Sequence, residues 1–273
     1  MTGVRVAAVG LVTGWGEGTA ALPADARAAA AGREVIAAQR PPLEGDRFRR
    51  ATRECLLGVA AVHDLLRDGG LLPEAIRGSG TAILYVTAGA YGASNRAFVE
   101  SPRGGAPYFP YTAPSAVTGE VAIEFGLTGP YVILVGGAPS TLDALVSAGR
   151  LLRRGTCARA LVMAVETFAE CADLYAPARW LVGRPLVEAA ACALLVPGDD
   201  VLAPRVAGEA AASERAVRQR AGETASAAPL IALALARNSH YDPGSLSGAW
   251  RERRAGLKWT RRALGLATEA GRT

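Results

Sequence analysis

The chain has 273 residues, half of them hydrophobic, with 32 glycines and a formal net charge of +5. That length can bury a sizeable core in one domain with an appendage, and the abundance of Ala and Gly suits closely packed α/β layers. No window of about 18 apolar residues is present to span a membrane, the four cysteines and two histidines lack metal-ligand spacing, and the arginines are not interleaved with aromatics as a nucleic-acid surface requires.

Val4 to Val12 reads as an apolar strand running into Thr13-Gly14-Trp15-Gly16. The chain enters it directly, without a signal peptide's cleavage pattern, so the cytoplasm is the expected location. Ala20 to Ala31 is alanine-rich and predicted helical, and residues 32–48, with Pro41-Pro42 and several charges, read as surface loop. Arg49 to Asp68 sets Cys55, Leu56, Val59, Val62, Leu65 and Leu66 on one helical stripe and ends at Gly69-Gly70. His63 lies beside that stripe and reads as a structural or solvent-facing histidine. Thr81 to Thr87 is a buried strand. From Asn95 to Gly119 the chain is rich in Pro and aromatics without strong periodicity, which reads as a long loop of functional or interfacial use. Ala116 to Phe125 is helical and stops at Gly126.

The stretch from Gly129 to Gly155 organises the rest. Tyr131, Val132, Ile133, Leu134 and Val135 form an apolar run too short for a helix, expected to be a strand buried on both faces. Gly136 and Gly137 then permit a sharp elbow and a close backbone approach. Ser140 or Thr141 is placed to cap a helix carrying Leu142, Leu145, Val146, Leu151 and Leu152, closed by Arg153, Arg154 and Gly155. In many enzymes a nucleophile stands at such an elbow, where helix amides face developing negative charge. Here that place holds Ala138.

Gly129-Pro130, the strand, the elbow and the small and hydroxyl residues after it resemble the active-site segment of the β-ketoacyl synthases, condensing enzymes of the thiolase fold. Ala138 stands at the position of the family's cysteine, and LDAL followed by a basic helix end and Gly-Thr (Leu142 to Leu145, Arg153 to Thr156) is similar to the chain-length-factor branch, which also lacks it. The resemblance implies an α/β thiolase-like layered fold, complete in its N-terminal half (1–205), with the C-terminal half largely missing and replaced by a short helical extension (206–273). It further implies no catalytic residue, no metal and no cofactor on this chain. The chain would be a non-catalytic subunit of an acyltransferase complex, pairing with a full-length ketosynthase as a heterodimer or heterotetramer. Substrates would ride on the phosphopantetheine of an acyl carrier protein, which a net positive charge suits.

By the same resemblance, Tyr108, Phe109, Tyr111, Thr112 and Ser115 would line the acyl tunnel or the subunit interface, with Gly119 nearby, and Tyr131 to Val135 would be the strand that pairs across the two-fold axis. The product class would be a polyketide, an aryl polyene or an unusual fatty acid. Ala158 to Val165 is a further strand closed by Glu166, where the family's glycines are replaced by Ala164 and Val165; Glu188 to Ala191 stand where the family has Glu-Gly-Ala-Gly. His240 is not part of a catalytic histidine motif. Ala225 to Ala236 is apolar all round, as a buried helix would be, and is expected to cover the helix that the missing half would otherwise bury. Ser245 to Thr273 carries Arg251, Arg253, Arg254, Lys258, Arg261 and Arg262 around Trp250 and Trp259, a basic amphipathic or frayed terminal helix suited to an acidic partner. Two rival readings remain: a decarboxylase or acyltransferase using Ser140, Cys171 or an amide-lined elbow for the enolate, and a scaffold that binds carriers without touching the acyl chain.

Overall fold

The computed structural model describes residues 3–101, 106–175, 183–238, 244–250 and 253–261, with the side chains of 106–108 outside the description. His240, Arg251, Arg262 and the chain from 262 onward lie outside the described residues.

Six strands form the main sheet: β1 (Gly3–Thr13), β2 (Gly16–Glu17), β4 (Thr81–Thr87), β5 (Tyr131–Val135), β6 (Arg159–Glu166) and β8 (Ala189–Gly198), in the order β2-β1-β8-β6-β4-β5. β5 and β6 flank β4 in parallel, while β8 and β1 continue the sheet antiparallel. The short pair β3 (Val35–Ile36) and β7 (Leu186–Val187) is parallel and turns part of the expected loop 32–48 into sheet.

Strand side chains alternate between faces, and the two faces collect different partners. Leu84, Val86, Val162 and Ala164 pack with α5 (Ala138–Arg153) and α8 (Ala228–Asn238). Ile83, Tyr85, Leu161, Met163 and Val165 pack with α2 (Arg53–Gly69) and α4 (Ser115–Phe125). The stripe read from Cys55 to Leu66 is the buried face of α2, and Gly70 ends it in the left-handed conformation at φ 60°. The segment expected as one long loop contains α3 (Gly92–Glu100) and a 3-10 turn (Ala106–Tyr111) ahead of α4. Its prolines break the periodicity between helices and not within α3.

Beyond α5 lies a second, antiparallel sheet of β9 (Val201–Arg205), β10 (Ser245–Trp250) and β11 (Arg253–Thr260), ordered β10-β11-β9. The molecule is therefore layered helices, sheet, helices, sheet. In the tail expected as an amphipathic or frayed helical segment, the described residues form two antiparallel strands of a hairpin, β10 and β11. Leu246, Leu257 and Trp259 are buried against the α5 and α8 cluster, and strand pairing satisfies backbone that a helix on this surface would have bonded internally. Strands from both sides of residue 205 share this sheet, so among the described residues beyond 205 the helical parts are α7 (Ala212–Arg220), a 3-10 turn (Ala225–Ala227) and α8.

α8 supplies the cover that the sequence calls for. Leu230, Ile231 and Leu233 join Leu142, Leu145 and Ala148 of α5 in one cluster, and the Thr141 hydroxyl donates to the Ser226 carbonyl at 2.6 Å. α5 is thus enclosed by the main sheet, α8 and the second sheet. Its small residues Ala144, Ala148 and Gly149 allow the close approach on all sides.

Candidate functional site

β5 was expected to be buried on both faces, and the structure corrects this: it is the outermost strand of the main sheet. Tyr131, Val132 and Val135 are 61 %, 42 % and 57 % exposed, and Ile133 and Leu134 are half-buried. A purely apolar run reports that burial is needed, not whether the same chain supplies it.

The strand ends at Gly136, whose N–H donates to the Thr87 carbonyl at 2.8 Å. A Cβ at Gly136 would meet the Ser140 hydroxyl and force that side chain to turn aside. α5 then begins earlier than the sequence suggests, at Ala138 with Gly137 as its N-cap and no side-chain cap. Pro139 in the first turn gives up an N–H that would have had no helical partner anyway. Ser140 sits inside the first turn and its N–H reaches the Gly137 carbonyl at 2.9 Å. Neither Ser140 nor Thr141 caps the helix.

The elbow is covered. Ala138 is only 4 % exposed. A Cβ built on Gly248 of β10 would overlap the Ala138 methyl, and one built on Gly137 would lie 2.7 Å from three ring atoms of Trp250. Gly248 and Trp250 therefore lie over the place where a nucleophile would stand. They are about a hundred residues downstream, and no local pattern in the sequence announces the contact.

Behind the elbow is a polar nest around Glu166, which is fully buried. Its carboxylate accepts from the N–H groups of Ala88 at 2.6 Å, Gly89 at 3.3 Å and Ser226 at 3.3 Å, and from the Ser226 hydroxyl. Burial pushes its pKa up to about 7, against the lowering effect of these donors. Ser226 is aimed at it by Ala225, held at φ 45° with its N–H donating to Glu223 at 3.0 Å. Glu188, also fully buried, accepts from the N–H groups of Ala38 at 2.8 Å and of Phe168 and Ala169 at 2.7 Å, and is ion-paired with Arg53. Burial raises its pKa, but Arg53 and the amides outweigh that and leave it below the ordinary carboxylate value. Arg53 also binds Glu170, so one guanidinium joins the start of α2 to both loops.

The expected tunnel residues lie in the 3-10 turn, just after it and on the first turns of α4. Phe109 is 65 % exposed and stacks on Phe98 at 5.9 Å between ring centroids. Tyr111 is half-buried against the α2 and α4 core. The Thr112 hydroxyl donates to the Phe109 carbonyl at 2.8 Å, while the Thr112 carbonyl accepts from Asn95 at 2.8 Å. Ser115 is exposed at the start of α4, Gly119 is exposed on it, and the side chain of Tyr108 lies outside the described ones. A cleft of about 320 Å³ between Thr19, Ser213, Arg220 and Leu235 does not touch the elbow.

The Ser226 hydroxyl and the Glu166 carboxylate are paired but fully buried, and among the described residues no histidine stands beside Ser140 or Cys171. His63 is half-exposed on α2, stacked edge-on against Phe125 on the opposite face of the sheet from α5. Cys171 is buried, and burial pushes its thiol pKa up; for Cys55 burial pushes it up to about 12. Ser140 has no histidine or carboxylate partner among the described residues.

Comparison with known proteins gives three results. No curated protein matches the sequence. The family model "Beta-ketoacyl synthase, N-terminal domain" matches residues 18–185. Among solved structures, the fold is similar to a chain of AntDE:AntF, a type II polyketide synthase acyl-carrier protein in complex with its ketosynthase bound to the hexaketide, with TM-score 0.71 at 13 % identity, covering 95 % of this chain and 99 % of that one. It is similar to a β-ketoacyl synthase from Burkholderia phymatum, with TM-score 0.69 at 12 % identity, covering 96 % and 100 %. It is also similar to a chain of the ketosynthase ApeO in complex with its chain length factor ApeC from Xenorhabdus doucetiae, with TM-score 0.62 at 14 % identity, covering 95 % and 99 %. These matches span nearly the full length of the matched chains, so the expectation of a missing C-terminal half is not carried by them. With the family model spanning more than half of the sequence, and with a thiolase-like fold holding the strand, elbow and central helix in place, the chain belongs to the β-ketoacyl synthase family.

Proposed function

We propose that this chain is a chain-length-factor-like subunit without condensing chemistry of its own, which pairs with a full-length ketosynthase, stabilises the heterodimer and closes the far end of the acyl tunnel. The observation that carries the reading is Ala138. A methyl group at the elbow forms no thioester, and the Ser226 hydroxyl paired with Glu166 behind it is fully buried. The exposed edge of β5 supports the pairing. Its outer side has no strand partner among the described residues, and Tyr131, Val132 and Val135 present apolar surface there. Such an edge invites aggregation unless another chain covers it.

The similar folds found in complexes of ketosynthase with chain length factor and with acyl carrier protein support the same assignment by analogy. The partner supplies the cysteine and histidines for decarboxylative condensation of thioesters carried on phosphopantetheine, in the cytoplasm. This chain needs no cofactor. Tyr108, Phe109, Tyr111, Thr112 and Ser115 contribute to the tunnel wall near the interface, and the product is a polyketide, a polyene of the aryl type or an unusual fatty acid.

Co-expression with a candidate full-length ketosynthase, followed by size-exclusion chromatography and intact mass, tests the proposal. The expected result is a stable hetero-complex in which only the partner is acylated by malonyl- or acyl-carrier protein, and whose product length changes when Tyr111 or Thr112 is enlarged or reduced. Condensation of two acyl units by the purified chain alone, or an acyl group on it, overturns the reading. An unchanged product length favours a scaffold.

A further inference from the structure

The elbow is more than an active site that has lost its thiol. β10 crosses it with its backbone at Gly248 against the Ala138 methyl, whose Cα and carbonyl carbon lie 3.3 Å from where a Gly248 Cβ would be, and with the Trp250 ring against Gly137. Trp250 also packs on the small cluster of Phe168, Leu186 and Ala225 beside Tyr175. A thioester approaching position 138 meets strand and indole where it needs open space.

We propose that the β10–β11 hairpin is a fixed seal over the elbow, so that even a thiol restored at position 138 stays out of reach of an acyl donor. This rests on the reading of the chain as a subunit without its own chemistry and adds a steric block to the chemical one.

The hairpin is anchored as a wall, and a movable lid would be held differently. The Ser213 hydroxyl donates to the Ser245 carbonyl at 2.6 Å, and the Ser247 hydroxyl accepts from the Ala211 N–H at 2.8 Å while donating to the buried Glu214. Arg254 pairs with the same carboxylate at 2.8 Å. Leu246, Leu257 and Trp259 are buried with Leu142 and Leu145 of α5, so lifting the hairpin would expose the core of the central helix. Segments that open readily have few buried apolar contacts, and this one has many. The glycine at 248 follows from the same geometry: any larger residue would drive β10 off Ala138.

The test is thiol accessibility in the full-length Ala138→Cys variant. Iodoacetamide labelling at position 138 is followed by peptide mass, native against denatured, with the wild-type chain and its four buried cysteines as background. Native labelling is expected to be at least about a hundredfold slower than in denaturant, the protection of a site reached only by opening a buried element. Adding Trp250→Gly is expected to recover at least about tenfold of that rate by removing the ring. Trp250→Leu, which keeps apolar bulk, is the second variant if the glycine variant does not hold its fold, and it too should label faster than Ala138→Cys alone. Native labelling of Ala138→Cys within about tenfold of the denatured rate overturns the proposal. So does a folded Trp250 variant that is as protected as its parent. Neither measurement involves the ketosynthase, so this inference and the proposed pairing fail separately.

Discussion

Glu166 at the end of β6 and Glu188 just before β8 are both fully buried, yet their acidities move in opposite directions. Glu188 has the Arg53 guanidinium as well as three amides, and its ionised form is the stable one. Glu166 has only neutral donors, so burial prevails and the proton is retained up to about pH 7. The stability linked to Glu188 is present above the unfolded carboxylate pKa and is lost as acid protonates it below that value. For Glu166 the folded state binds the extra proton between the unfolded value and about 7. Its contribution is therefore complete below the unfolded pKa and falls away as pH rises through the folded one.

Urea unfolding of the wild-type chain should show stability declining from about pH 5 to 7.5 relative to Glu166→Gln, by at most about 3 kcal/mol; parallel curves for the two proteins would refute the assignment. Arg53→Met leaves Glu188 buried without its cation and is expected to cost about 3 to 5 kcal/mol, read as a lowered urea midpoint at pH 7.

At the scale of elements, α5 is central because helix, strand and hairpin all bury against it. α8 is apolar on every side, since it meets the main sheet, α5, α7 and β10 together. Ile231→Ala removes buried methyl groups from this junction and should destabilise the chain by about 2 to 5 kcal/mol in thermal or urea denaturation. Deleting residues 225–237 should remove the cover from Leu142, Leu145 and Ala148 and yield insoluble protein on expression. A soluble deletion that still bound its partner would show that the helix is dispensable. The hairpin illustrates the other half of this geometry: tightly packed layers leave room at Ala138 and Gly137 only for glycine and for the flat face of an indole.

At the scale of the molecule, the layering leaves the wholly apolar strand β5 at the outer edge of the main sheet. Val132→Lys combined with Val135→Lys places charge on surface that is already exposed, so the melting of the isolated chain should change by no more than about 0.5 kcal/mol. The same pair should abolish co-elution with a ketosynthase, because a partner strand would have to bury both ammonium groups. Retained co-elution on size exclusion would move the interface elsewhere.

The sequence alone specified the parts whose cause is local. Periodicity placed α2, α4, β4 and β6 within a few residues, the glycine pair marked the elbow, and Ala138 stood where no nucleophile is available. It also named α8 as buried, because an apolar surface all round has no other stable use. Only the tertiary structure decided that the β5 run faces outward, that the described part of the basic tail is a hairpin, that Ser226 closes the nest around Glu166, and that Gly248 and Trp250 cover the elbow. The physical reason is the same in each case: composition reports that a side chain must be buried or a carboxylate satisfied, while the identity of the covering group depends on chain returning from far along the sequence.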